Sequence, residues 1–88
     1  MTMEDRIVER LTTVFAPLAL EVVNESHLHH GHANSPGSGQ SHFRVHVVSA
    51  RFTGLGRLER HRLVNEALAE ELSAGIHALA VKAEPPTQ

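Results

Sequence analysis

The sequence predicts an α+β domain of order α-β-β-α-β, a three-stranded mixed sheet with helices on one face, and three observations carry that prediction. Ile7, Leu11, Val14 and Phe15 recur at helical spacing near the N-terminus. Phe43, Val45 and Val47 alternate with His42, Arg44 and His46. His61, Val64, Leu68 and Leu72 then form a second helical stripe ahead of a short apolar run. Apolar spacing of a helix, then of a half-buried strand, then of a helix again describes a sheet that buries one face only.

Each element follows from local chemistry. Thr2 and Asp5 stand three apart, as in a capping box with Asp in the place of Glu, so the first helix is expected from about Met3 to Phe15. Pro17 ends it, and Ala19 to Asn24, β-branched at Val22 and Val23, reads as the first strand. From Glu25 to Gln40 the chain is rich in His, Gly, Ser, Asn and Pro, the composition of a loop. Ser41 to Phe52 is expected as the second strand, with the Phe43, Val45 and Val47 side buried. Thr53 to Gly56 then turns into a second helix that continues to about Gly75, a plausible residue just past a helix end. Ile76 to Val81 reads as the third strand. The polar, Pro-containing chain beyond it lies outside the sheet, with the domain placed at residues 1–83 and 84–88 as an unstructured tail.

Sequential strands pair most simply antiparallel, and strands joined by a helix pair parallel through a right-handed crossover. The end of the first strand and the starts of the second and third then share one end of the sheet. The loop leaving that end is about sixteen residues long, where hairpins usually take about 2–5. It carries His27, His29, His30 and His32, half of the chain's 8 histidines, and His77 opens the third strand at the same end. Two imidazoles from separate segments can meet there, while His77 taken alone reads more simply as a structural residue. Composition alone is equally compatible with a solvated loop that takes up nickel or zinc adventitiously. His61, on the apolar stripe, reads as a satisfied core or boundary histidine, and His42 and His46 read as ordinary exposed strand positions.

Composition narrows the function. With no cysteine the chain cannot supply sulfur, so a sulfur-rich metal centre needs a second molecule to bring it. Three Phe and no Trp or Tyr leave little for base stacking, and a net charge of −2 argues against bulk polyanion binding while leaving a local basic patch open. Glu4, Asp5 and Glu9 near the N-terminus are foreign to signal and transit peptides, and no apolar run approaches the roughly 20 residues of a membrane helix, so a cytoplasmic location is expected.

The stretch from Ser41 to Leu72, followed by Gly75-Ile76-His77-Ala78-Leu79, resembles the BolA family, and Val23-Asn24-Glu25-Ser26 is similar to that family's first strand and loop entry. The motifs are Ser-His-Phe at Ser41, Ser-x-Arg-Phe at Ser49, Arg-His-Arg at Arg60 and His-Ala-Leu at His77. The resemblance implies a fold similar to the class II KH type. It also implies a non-enzymatic role in iron–sulfur cluster handling, as the partner of a monothiol glutaredoxin. A [2Fe–2S] cluster would be shared with the glutaredoxin cysteine and a bound glutathione. On this chain the implied histidine ligands are His77 and, from the loop, His29, which has His27, His30 and His32 around it. Self-pairing of the apo chain stays open.

No catalytic motif is present: there is no His-Glu-x-x-His and no Gly-x-Ser-x-Gly, and Gly54-Leu55-Gly56 is too short for a dinucleotide fingerprint. The rival reading is a DNA-binding transcriptional regulator, since Arg51, Arg57, Arg60 and Arg62 gather around the turn and second helix. Against it, the Gly-x-x-Gly of KH domains is absent, and those arginines read more simply as a solvated helix face.

Overall fold

The structure, a computed structural model, describes residues 2–25 and 42–86. Helix α1 spans Met3–Phe15 and begins with a reciprocal capping box: the Asp5 amide donates to Thr2 Oγ1 at 3.1 Å and the Thr2 amide to Asp5 Oδ2 at 3.2 Å. Those bonds, the backbone one foremost, hold the Asp5 carboxyl below its usual pKa. Ala16, left-handed at φ 43°, closes the helix one residue ahead of Pro17. Strand β1 is Ala19–Asn24, β2 is His42–Val48, α2 is Arg57–Ala67, α3 is Ala69–Ala74 and β3 is Ala78–Glu84.

The sheet has the order β1-β2-β3, with β1 antiparallel to β2 and β3 parallel to it, as expected from the connections. Phe43, Val45 and Val47 face the helices and are essentially inaccessible. They join Ile7, Leu11 and Phe15 of α1, Val64, Leu68, Phe52, Ile76 and Ala83 in one core. The expected stripe on the second helical segment holds, with Val64 and Leu68 fully buried and His61 and Leu72 half-buried. Phe52 and Phe15 meet as tilted rings with centroids 4.9 Å apart, joining the turn after β2 to the end of α1.

Three boundaries differ from the sequence reading. The second strand stops at Val48 instead of Phe52. The buried Ser49 donates its hydroxyl to the Phe15 carbonyl at 2.7 Å and accepts from the Arg51 amide at 3.1 Å, turning Ala50–Phe52 into a 3-10 turn. The expected single helix is two, with a break at Leu68, whose φ of −102° and ψ of 18° leave the helical range while its side chain stays in the core. The third strand starts at Ala78 and continues through Glu84, so Lys82, Ala83 and Glu84 are sheet. The Ser49 amide donates to the Glu84 carbonyl at 3.0 Å, and Ala83 continues the buried side of the strand.

Because Phe52 is completely buried against Phe15, Phe52→Ala should cost about 3–5 kcal/mol, a large part of what so small a domain holds in reserve. Urea unfolding of the two proteins measures this, and a loss below about 1 kcal/mol would show that the core does not depend on that ring contact.

Candidate metal centre

The sheet register places the histidines. Pairing of His42 with Ala78 puts His77, the residue before β3, beside the first residue of β2. The His42 and His77 rings are stacked, 6.3 Å between centroids and 23° between planes, and His77 is exposed. The Glu25 amide donates to the His42 carbonyl at 2.7 Å, and Arg44 Nε donates to Glu25 Oε2 at 2.9 Å. The chain therefore leaves β1 and re-enters at β2 within hydrogen-bond distance, and both points lie at the end where β3 begins. Glu25, His42, Phe43, Ala78, Leu79 and Ala80 line a shallow groove there.

The structure thus sets His77 at the shared sheet end, as the topology requires. The other candidate ligand, His29, lies outside the described residues together with His27, His30 and His32. His42, expected as an ordinary exposed strand position, is half-buried: alternation shows only that it faces away from the core, and the parallel register is what brings it to His77. Among the described residues no group of three or more His, Cys, Asp or Glu side chains stands close enough to hold a metal ion. Among the described residues this end of the sheet offers one exposed imidazole with a second beside it, and the chain has no thiolate.

The remaining described histidines have structural work. His61 Nε2 lies 2.8 Å from the Val81 carbonyl, and because a carbonyl only accepts, that nitrogen carries the proton. His46 Nε2 lies 2.8 Å from Glu84 Oε1 on the face of the sheet away from the helices, and this bond is the first cause of a lowered Glu84 pKa. Arg60 departs from the solvated-face reading: its Nε donates to the Ala83 carbonyl and its Nη1 to the Leu55 carbonyl, both at 2.7 Å. Arg51, Arg57 and Arg62 are exposed. His61 and Arg60 together cap carbonyls on the outer edge of β3 and so help fix the strand that His77 opens.

The family comparison agrees with this architecture. The family model described as BolA-like protein matches residues 11–88, and the chain belongs to the BolA family. It is 53% identical over 85 residues to human BolA-like protein 1, covering 97% of this chain and 59% of that one. It is 49% identical over 81 residues to the Escherichia coli DNA-binding transcriptional regulator BolA, covering 92% of this chain and 73% of the regulator. The chain thus spans less than two thirds of the human relative's length. Among solved structures, BolA1 from Arabidopsis thaliana superimposes with a TM-score of 0.84 at 38% identity, covering 94% of this chain and 90% of its own. The BolA domain of SufE1 from the same plant gives 0.86 at 37% identity, covering 98% and 94%. No helix among the described residues is long and apolar enough to cross a membrane.

The His46–Glu84 contact predicts a pH dependence. Glu84 has a depressed folded-state pKa, so its contribution is present above the ordinary value of 4.5 and is lost as pH falls through the lowered value. The pair is more than a third exposed, so the effect is small. Glu84→Gln should be slightly less stable than the parent at neutral pH, with the two converging in acid. Denaturant midpoints across that range test this, and a gap that widens in acid would reverse the assigned sign.

Proposed function

We propose that the chain acts without catalysis as the partner of a monothiol glutaredoxin in iron–sulfur cluster handling, supplying His77 and His29 to a [2Fe–2S] cluster shared with the glutaredoxin cysteine and a bound glutathione. The observation that carries the reading is the placement of His77: exposed, beside His42, at the sheet end where the histidine-rich segment leaves and returns. When bound, such a cluster supplies an electron-accepting iron pair, and imidazole in place of anionic thiolate raises its potential. This chain's part is to hold a neutral imidazole where a partner's sulfur ligands can approach. Exposure at His77 provides the access, and the strand pairing behind it provides the rigidity.

Copurification with a monothiol glutaredoxin, followed by visible absorption, tests the reading. A spectrum distinct from that of the glutaredoxin alone supports it, and an unaltered spectrum contradicts it. A second reading, DNA binding, draws on the similarity to the DNA-binding transcriptional regulator of Escherichia coli and on the exposed Arg51, Arg57 and Arg62. It predicts salt-sensitive DNA affinity that falls when those arginines are replaced.

His77→Ala should abolish the shared-cluster spectrum with the fold retained, because the side chain is exposed and outside the core. Circular dichroism checks the fold, and an unfolded variant would make His77 structural. His29→Ala should weaken the cluster more than His27→Ala or His32→Ala, and equal losses from all three would remove His29 from the ligand set.

Only neutral imidazole ligates, and a free histidine titrates near ~6.5. Acid should therefore release the shared cluster at a pH below that value, yet earlier than it releases an all-thiolate cluster from the glutaredoxin alone. Parallel spectral titrations measure both midpoints, and coincident midpoints would exclude imidazole protonation as the limiting step.

A further inference from the structure

We propose that Glu71 is a positioning residue for His77, linking α1 to the corner from which the proposed ligand is presented. The functional importance of that corner rests on the reading of His77 given above. The placement of the corner itself does not.

Glu71 occupies a position that helical spacing assigns to an apolar side chain. It follows Val64 by seven residues and Leu68 by three, and only 2% of it is exposed. Its Oε2 faces two guanidinium groups from α1, Arg6 Nη2 at 3.4 Å and Arg10 Nη2 at 3.7 Å. Its Oε1 is buried and has no hydrogen-bond partner among the described residues. Arg10 also reaches the exposed Glu70. A buried carboxylate paired with guanidinium groups is weak evidence of added stability, since well-packed apolar residues often serve as well or better in place of a buried ion pair. Stability alone therefore does not account for an acid at this position.

The main chain of the same residue offers a reason. The Glu71 carbonyl accepts from the Gly75 amide at 3.2 Å and from the Ile76 amide at 3.3 Å, closing α3. Gly75 adopts φ 158° and ψ 0°, a conformation that side-chain-bearing residues rarely take. His77 is the next residue after Ile76. One residue thus has its carboxylate held by α1 and its carbonyl holding the two amides that precede His77. A shift of α3 along α1 would move the corner and the imidazole with it.

Two sets of variants separate positioning from general support. Glu71→Met removes the charge and keeps an apolar filling of similar length, so the fold has a means of surviving. Arg6→Ala with Arg10→Ala removes the clamp from the other side and leaves residue 71 untouched. Glu70→Gln is the control on the exposed pair. In amide hydrogen exchange followed by NMR on the isolated chain, both the Glu71→Met and the double-arginine proteins should show Gly75 and Ile76 exchanging about ten-fold faster than the parent, with the β1–β2 amides changed far less. The His77 resonances should move in the same proteins, and Glu70→Gln should leave all of these as they are.

Unaltered exchange and resonances at residues 75–77 would overturn the proposal, as would equal acceleration throughout the sheet or the same local change in Glu70→Gln. If Glu71→Met does not fold, the double-arginine protein decides by the same criteria. In complex with glutaredoxin, the visible circular dichroism of the shared cluster should change in the variants that move the His77 resonances. Absence of any shared cluster with the parent chain would reject the functional reading, while the exchange pattern would still decide whether Glu71 places His77.

Discussion

Parallel pairing of β2 with β3, in the register that sets His42 opposite Ala78, is the constraint on which the placement of the site depends. A parallel pair needs a long crossover, and here α2 and α3 provide it, packed on one face of the sheet. The antiparallel β1–β2 pair runs back to the same end, with Glu25 bonded to His42. A one-residue slip of β3 would turn Leu79, Val81 and Ala83 out of the core and carry His77 away from His42. Burial therefore holds the register, and the register holds the imidazole.

The four described histidines sit at different places along the paired strands β2 and β3. His61 donates its Nε2–H to the Val81 carbonyl at the edge of β3, and His46 Nε2 is hydrogen-bonded to Glu84 Oε1. Both bind the strand to its surroundings, one at its edge and one on its open face. His42 and His77 instead stack at the strand's beginning, where His77 is exposed. The exposure of His77 at this end supports the proposal that ligation falls to the sheet end and to the histidine-rich segment that opens from it, with the rest of the strand serving as a fixed mount.

Element types and pairing were legible in the sequence because the apolar residues carry clean periods, as at Phe43, Val45 and Val47 and at Val64 and Leu68. Element ends were less so, because they are set by groups that pattern does not register. Ser49 ends β2 through its hydroxyl, and Leu68 breaks the helix while remaining apolar and buried. Lys82 and Glu84 face the open side of β3, where polar residues look the same as a tail. Arg60 looks like a solvated helix charge in the sequence, and only the fold reveals that it donates to the Ala83 carbonyl of β3 and to the Leu55 carbonyl, just as only the fold shows the Glu71 carboxylate buried against the guanidinium groups of Arg6 and Arg10. Of the candidate site, His77 was legible from topology. The proximity of His42 needed the register.

The proposed division of labour is chemically specific: sulfur ligands from the partner, nitrogen ligands from a chain with eight histidines and no cysteine. Pulsed electron paramagnetic resonance on the reduced glutaredoxin complex, with ¹⁵N-histidine incorporated only in this chain, tests that division most directly. Imidazole bound to the cluster iron should give strong ¹⁵N couplings that appear only when this chain carries the label. A cluster spectrum indifferent to that label would contradict it.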